Sequence, residues 1–125
     1  MKTLAEALEV DSELVLEHFD LPISFHRCLV PITGGVMTAL MLSHELWITQ
    51  TLPTEAKGWF SCSGDQWTEY TGLSRWEQES ARRALRRLGF LQECRKGMPA
   101  RIWSRVEPAL IFEALSSHAA ITVHG

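Results

Sequence analysis

Cysteine and long apolar runs are both scarce in this chain, and each shortage argues against a class of protein. The three cysteines, Cys28, Cys62 and Cys94, are widely spaced and odd in number, so we expect reduced thiols and neither a disulfide framework nor a metal site. The longest apolar run, residues 36–48, is interrupted by polar residues and is too short to span a bilayer. We therefore expect no membrane segment, no metal and no cofactor.

The features of a signal peptide are missing as well. The first twenty residues carry six acidic side chains and no apolar core of a signal peptide, so we expect a cytoplasmic protein. A length of 125 residues and a hydrophobic content of 46% are typical of one soluble domain with terminal additions.

Catalytic motifs are also lacking. His44 and Glu45 begin like the zinc motif H-E-x-x-H, but position 48 is Ile, so the second histidine is absent. His26 and Cys28 share one face of an extended segment, where a structural role is favoured over a nucleophilic pair. The glycine-rich phosphate-binding motifs G-x-x-x-x-G-K-[ST] and G-x-G-x-x-G do not occur either. We therefore expect that the protein is not an enzyme.

Positive charge is concentrated in one stretch. Residues 75–105 hold nine basic and three acidic side chains, a net charge of +6, whereas the rest of the chain has a net charge of −9. Exposed charges more than about 10 Å apart are largely screened at physiological salt. This stretch can therefore attract a polyanion although the whole chain is acidic.

Residues 63–90 predict two helices joined by a tight turn. Gly72 lies between two helical patterns and can adopt the positive φ that a sharp turn needs. Ser74 and Glu77 form an S-x-x-E capping box at the start of the second helix. Gly89 ends that helix.

The second helix has an apolar stripe and an opposite basic face. Ala81, Ala84, Leu85 and Leu88 recur at helical spacing and form the stripe. The opposite face carries Arg75, Trp76, Glu79, Arg82, Arg83 and Arg86, with Gln78 and Arg87 on its flanks. An arginine-rich helix after a glycine turn is typical of the recognition helix of a helix-turn-helix. The alternative is a solvent-exposed helix whose arginines only make it soluble.

A β-hairpin follows this helix. Residues 91–96 and 101–106 are strand-length segments joined by the Gly/Pro tetrapeptide 97–100, and both arms carry basic residues. With a short strand at 58–62 they predict a three-stranded sheet whose hairpin is a wing.

The remaining segments are assigned from their hydrophobic periodicity and from the proline and glycine residues that interrupt it. Residues 1–32 predict an N-terminal arm with short helices at 3–9 and 12–19 and an extended segment at 23–30. We expect this arm to pack on the domain or on a partner subunit. The alternative is that its first ten residues are disordered. A polar loop is expected at 53–58.

Three further helices complete the prediction. Residues 36–51 predict the first long core helix, 64–70 the first helix of the turn motif with Trp67 and Tyr70 in the core, and 108–118 a C-terminal helix after which the chain frays. The core face of the long helix is expected to contain Val36, Leu40, Met41, Leu46, Trp47 and Ile48.

This order resembles the winged helix-turn-helix superfamily. The segments that carry the resemblance are GGVMTALMLSHELWI, GWF, TGLSRWEQESARRALRRLGFL and KGMPARIW, and they are similar to winged-helix replication and regulatory factors of bacteria, phages and plasmids. The expected class is mainly α with a small antiparallel sheet. The expected units are an N-terminal arm at 1–32, a winged helix-turn-helix domain at 33–106, and a C-terminal helix and tail at 107–125.

The resemblance implies sequence-specific binding of double-stranded DNA by the second helix and the wing. Arg pairs bidentately with guanine, Gln with adenine, and Glu accepts from cytosine, while the chain has no Asn for the common contact with adenine. The base-reading candidates are Arg75, Trp76, Gln78, Glu79, Arg82 and Arg83. The phosphate and wing candidates are Arg86, Arg87, Arg95, Lys96, Arg101 and Arg105.

Several alternatives stay open at this level. Trp76 either contacts DNA or is buried against another subunit. A homodimer would use the first 35 residues or the C-terminal helix, and sequence does not choose between them. The rival function is a winged helix that binds an acidic protein partner and no DNA.

Overall fold

The computed structural model describes residues 12–20 and 22–124, which form a mainly helical structure with one small antiparallel sheet, as predicted. The predicted helix at 3–9 lies outside the described residues. The helices are α1 (Ser12–Leu16), α2 (Leu29–Thr33), α3 (Val36–Thr51), α4 (Gly64–Thr71), α5 (Arg75–Leu88) and α6 (Pro108–His124), with a 3-10 helix at Thr54–Ala56 in the expected loop. The strands are β1 (Leu91–Lys96) and β2 (Arg101–Val106).

The hairpin has the predicted bounds, but the predicted third strand is wrong. β1 and β2 pair antiparallel from Leu91 opposite Val106 to Lys96 opposite Arg101. Phe60 adds only a single bridge, in which it exchanges two backbone hydrogen bonds of 3.0 and 2.8 Å with Ser104. Gly58, at a φ of 85°, and the helix cap at Ser63 flank Phe60 closely, so the chain has no length for a strand.

The core lies between α3 and α5 and is closed by α2, α6 and the hairpin. Met41 and Leu42 of α3 meet Ala81 and Leu85 of α5, and all four are almost completely buried. The predicted stripe of α5 therefore does face the core, except that Leu88 at its end is exposed. This packing fixes which face of α5 points outward.

The expected extended segment at 23–30 is wrong at its end, where α2 begins. Pro31 is the third residue of α2, a position whose N–H has no helical partner, so the proline does not break the helix. Leu29 is buried in the main core. The expected boundary between residues 32 and 33 therefore falls inside a helix of the domain.

The expected core face of α3 is partly wrong. Val36 and Trp47 are exposed, whereas Ser43 and Glu45 are buried. α3 is apolar on nearly all sides, so its periodicity does not define one buried face. On α4, Trp67 is buried as predicted but Tyr70 is exposed.

The C-terminal helix is longer than predicted. α6 continues to His124, six residues beyond the predicted end at His118, and the expected fraying from Ala119 is not seen. No glycine or proline interrupts residues 109–124, which explains the continuation.

Candidate nucleic-acid interface

α5 starts at a complete capping box. The Glu77 backbone N–H donates to Ser74 Oγ at 3.2 Å, and the Ser74 N–H donates to Glu77 Oε1 at 2.9 Å. The bond from the Ser74 backbone lowers the pKa of Glu77, so this carboxylate is charged at the positive end of the helix dipole. The capping box therefore fixes the residue at which α5 begins.

The turn between α4 and α5 is closed by Gln78. Its Nε2 donates to the carbonyl oxygens of Gly64 and Leu73, at 3.1 and 3.0 Å, and approaches Thr68 Oγ1 at 3.0 Å. Only 2% of Gln78 is exposed. The prediction that Gln78 reads a base is therefore wrong, because its amide group is used inside the protein.

The outward face of α5 presents cations next to an aromatic ring. Trp76 is 75% exposed, and in this chain alone it is not covered. Arg75 pairs with Asp65 at 2.9 Å and Arg83 with Glu79 at 3.3 Å, in both cases through exposed side chains. Exposed pairs of this kind contribute little stability and exchange readily for other anions.

Two further arginines of α5 are held by the hairpin. Arg86 Nη1 donates to both carboxylate oxygens of Glu93, at 2.7 and 2.8 Å, and Arg82 Nε lies 3.2 Å from Glu93 Oε1. The Glu93 side chain is only 8% exposed and that of Arg82 only 21%. Arg82, expected to read bases, is instead half-buried and ties α5 to β1.

A buried carboxyl group lies below this cluster. Glu45 of α3 is fully buried, and neither carboxylate oxygen has a hydrogen-bond partner among the described residues. Burial, assisted by the negative charge of Glu93 and opposed by Arg82, raises the pKa of Glu45 to about 8. Glu45 is therefore mostly protonated at neutral pH, which avoids an uncompensated buried charge.

The basic residues of the hairpin divide between two places. Arg95 borders a cleft of about 390 Å³ together with Arg82 and Arg86, and Arg101 borders a second cleft of about 410 Å³ with Arg75. Both clefts lie between α5 and the hairpin. Each of the two clefts is lined by more than one arginine.

Lys96 and Arg105 lie elsewhere. The Lys96 ammonium is 4.8 Å from the centroid of the Trp103 ring, and the Arg105 guanidinium is 5.0 Å from that of Trp59. Side chains alternate along β1, so Lys96, together with Arg101 opposite it on β2, lies on the sheet face opposite Glu93 and Arg95. The six expected phosphate ligands therefore do not share one surface.

The role of Glu93 was not found from the sequence, although a signal exists. Glu93 alternates with Leu91 and Arg95 on the strand face that turns toward α5, seven residues after Arg86. Alternation along β1 gives the face of Glu93, whereas its two arginine partners depend on how the hairpin folds back on α5.

Comparison of the chain with protein-family models, with curated proteins and with solved structures gives no match. Within residues 12–20 and 22–124, no helix is long and apolar enough to cross a membrane. The same residues contain no group of three or more histidine, cysteine or acidic side chains placed to hold a metal ion.

Proposed function

We propose that this protein binds double-stranded DNA through α5 and the β1–β2 hairpin, as a winged helix-turn-helix that serves as a transcriptional regulator or a replication-associated factor, without catalysis. The observation that carries the proposal is the outward face of α5. Arg75, Arg83 and Arg87 are exposed there beside the uncovered ring of Trp76, and the arginine-lined clefts adjoin this face.

The burial of each side chain divides the candidates by role. Arg75, Trp76, Glu79 and Arg83 lie near the N-terminal half of α5 and are the residues proposed to reach base edges. Arg87, Arg95 and Arg101 are proposed to contact phosphates. Arg82 and Arg86 position the hairpin through Glu93, and Lys96 and Arg105 are assigned no phosphate because each packs on a tryptophan ring.

A double substitution tests the proposal. Arg83→Ala with Arg87→Ala removes two exposed cations of α5, and we expect at least about tenfold weaker binding to a 30-base-pair duplex, measured by fluorescence anisotropy. The matched control is Arg27→Ala with Lys57→Ala, which removes the same charge from exposed positions outside α5 and the hairpin. Equal affinities of the two variants would contradict the proposal, provided that both melt at the wild-type temperature.

Selection from a random duplex pool at physiological salt separates the two biological roles. Enrichment of a palindrome supports a dimeric regulator, with half-sites about 34 Å apart. Enrichment of direct repeats supports a replication-associated factor. A homodimer is part of the regulator proposal, and the exposed Leu110 and Phe112 of α6 are available for it.

One observation favours the rival function, the binding of an acidic protein. Carboxylates of this chain already occupy Arg75, Arg83 and Arg86, so carboxylate groups fit the arginine side chains of α5. Copurification of an acidic protein with a low 260/280 absorbance ratio, together with no affinity for duplexes, would support this function.

A further inference from the structure

A groove with aromatic walls lies beside the cleft that Arg75 and Arg101 border, and the two share Ser61, Cys62 and Gln66. Its volume is about 520 Å³, within the range of small-molecule sites. The lining residues come from α3, the 3-10 helix, the segment before α4, α4 itself and β2, and none belongs to α5. Its aromatic walls are Trp47, Trp59, Phe60, Tyr70 and Trp103.

Two of these walls are open to solvent yet fixed in place. Trp47 is 57% exposed and Tyr70 40% exposed. The His44 ring stacks on Trp47 with 5.4 Å between ring centroids and lies 4.9 Å from the Tyr70 ring. Burial lowers the pKa of His44, so the ring is neutral at pH 7. A ligand entering the groove would therefore meet walls that are already ordered, which reduces the entropy cost of binding.

The electrostatics of the groove select the charge of the ligand. No charged side chain lines it, but Lys96 and Arg105 each lie against one of its tryptophans, Trp103 and Trp59. Aromatic walls alone would attract a cation such as a methylated ammonium. Here each of these rings already carries a cation, so a second positive charge is repelled and a negative one is attracted. Glu107 offsets part of the Arg105 charge at 3.2 Å, so Lys96 is the less compensated of these two cations.

We propose that this aromatic groove binds a planar aromatic anion of one or two fused rings. The ring packs between the tryptophans, and the anionic group lies on the side of Lys96. The amide of Gln66 also lines the groove and can donate a hydrogen bond to the ligand through Nε2, because its Oε1 accepts from the Ser63 N–H.

A matched pair of probes tests the charge preference. We expect 2-naphthoate to bind the full chain with a dissociation constant on the order of 1 mM or tighter, because a ligand of its size gains roughly 0.3 kcal/mol per non-hydrogen atom. The cation 2-naphthylmethylammonium should bind at least about tenfold more weakly. The readout is the shift of the tryptophan indole N–H signals in NMR spectra recorded without DNA, with the indole signals of Trp47 and Trp103 responding. Equal affinities for the two probes, or no binding of 2-naphthoate, would overturn the proposal.

Substitutions locate the site. Trp47→Ala and, separately, Tyr70→Ala remove exposed walls and should each weaken binding of 2-naphthoate by about tenfold, whereas Lys96→Ala should reduce the preference for the anion. The control Trp76→Ala removes an exposed tryptophan of α5 and should leave the affinity unchanged. Unchanged affinity in both wall variants would overturn the proposal.

The oligomeric state gives a second test. A wild-type dimer that Trp47→Ala converts to monomer in sedimentation would also overturn the proposal, since a second copy of the chain would then fill the groove. Because these measurements use no DNA, a negative result for the groove says nothing against DNA binding, and the two proposals are tested separately.

Discussion

At the scale of single residues, the buried Glu45 carboxyl makes the stability of the fold depend on pH. In the unfolded chain it loses its proton near the ordinary value of 4.5, whereas in the folded protein its pKa is raised to about 8. Between these values the folded state holds a proton that the unfolded state has released. The free energy of unfolding should therefore fall as pH rises from about 5 to 8.

Glu45→Gln tests this linkage, because glutamine cannot lose the proton. We expect the variant to lose less stability than the wild type between pH 5 and pH 8, by a difference on the order of a few kcal/mol. Urea unfolding at a series of pH values measures it. Glu55→Gln, in the exposed 3-10 helix, is the control and should keep the wild-type profile. Parallel curves for wild type and Glu45→Gln would show that Glu45 is ionised in the folded protein.

At the scale of elements, the relative position of α4 and α5 depends on one buried amide. Gln78 donates from Nε2 to the carbonyl oxygens of Gly64 and Leu73 at the turn, and Gly72 supplies the left-handed residue with a φ of 75°. The hydrogen bonds of the buried Gln78 side chain therefore fix which face of α5 is exposed.

We expect Gln78→Ala to lower the free energy of unfolding by about 2–4 kcal/mol, because it removes the hydrogen bonds of a buried amide and leaves a cavity in its place. Gln50→Ala, at an exposed position of α3, is the matched control and should change it by no more than about 0.5 kcal/mol. Thermal or urea unfolding gives both values. A Gln78→Ala variant of wild-type stability that has lost sequence preference on DNA would instead return Gln78 to the base-reading role.

Local signals predicted these elements well where the structure depends on neighbouring residues. The serine cap and the terminal glycine of α5 and the bounds of β1 and β2 follow from side chains and turns a few residues apart. The buried side of α3 and the pairing of Glu93 with two arginines did not follow, because they depend on elements that meet only in the folded chain. The same limit explains why Gln78, on the flank of the predicted basic face, was assigned to the wrong side.

At the scale of the whole molecule, the proposal depends on a local positive field in an acidic chain. Five arginines of α5 and the hairpin are neither held by Glu93 nor stacked on an aromatic ring: Arg75, Arg83, Arg87, Arg95 and Arg101. Each could displace one counterion from a phosphate. Most of the remaining chain is acidic and would be repelled by DNA, so binding should occur in one orientation.

The salt dependence of duplex binding tests this account most directly. The logarithm of the wild-type association constant for a 30-base-pair duplex is measured against the logarithm of salt concentration. About five phosphate contacts predict a slope near −4 to −5. A slope near zero, or no binding even at low salt, would contradict the proposal that this surface binds DNA.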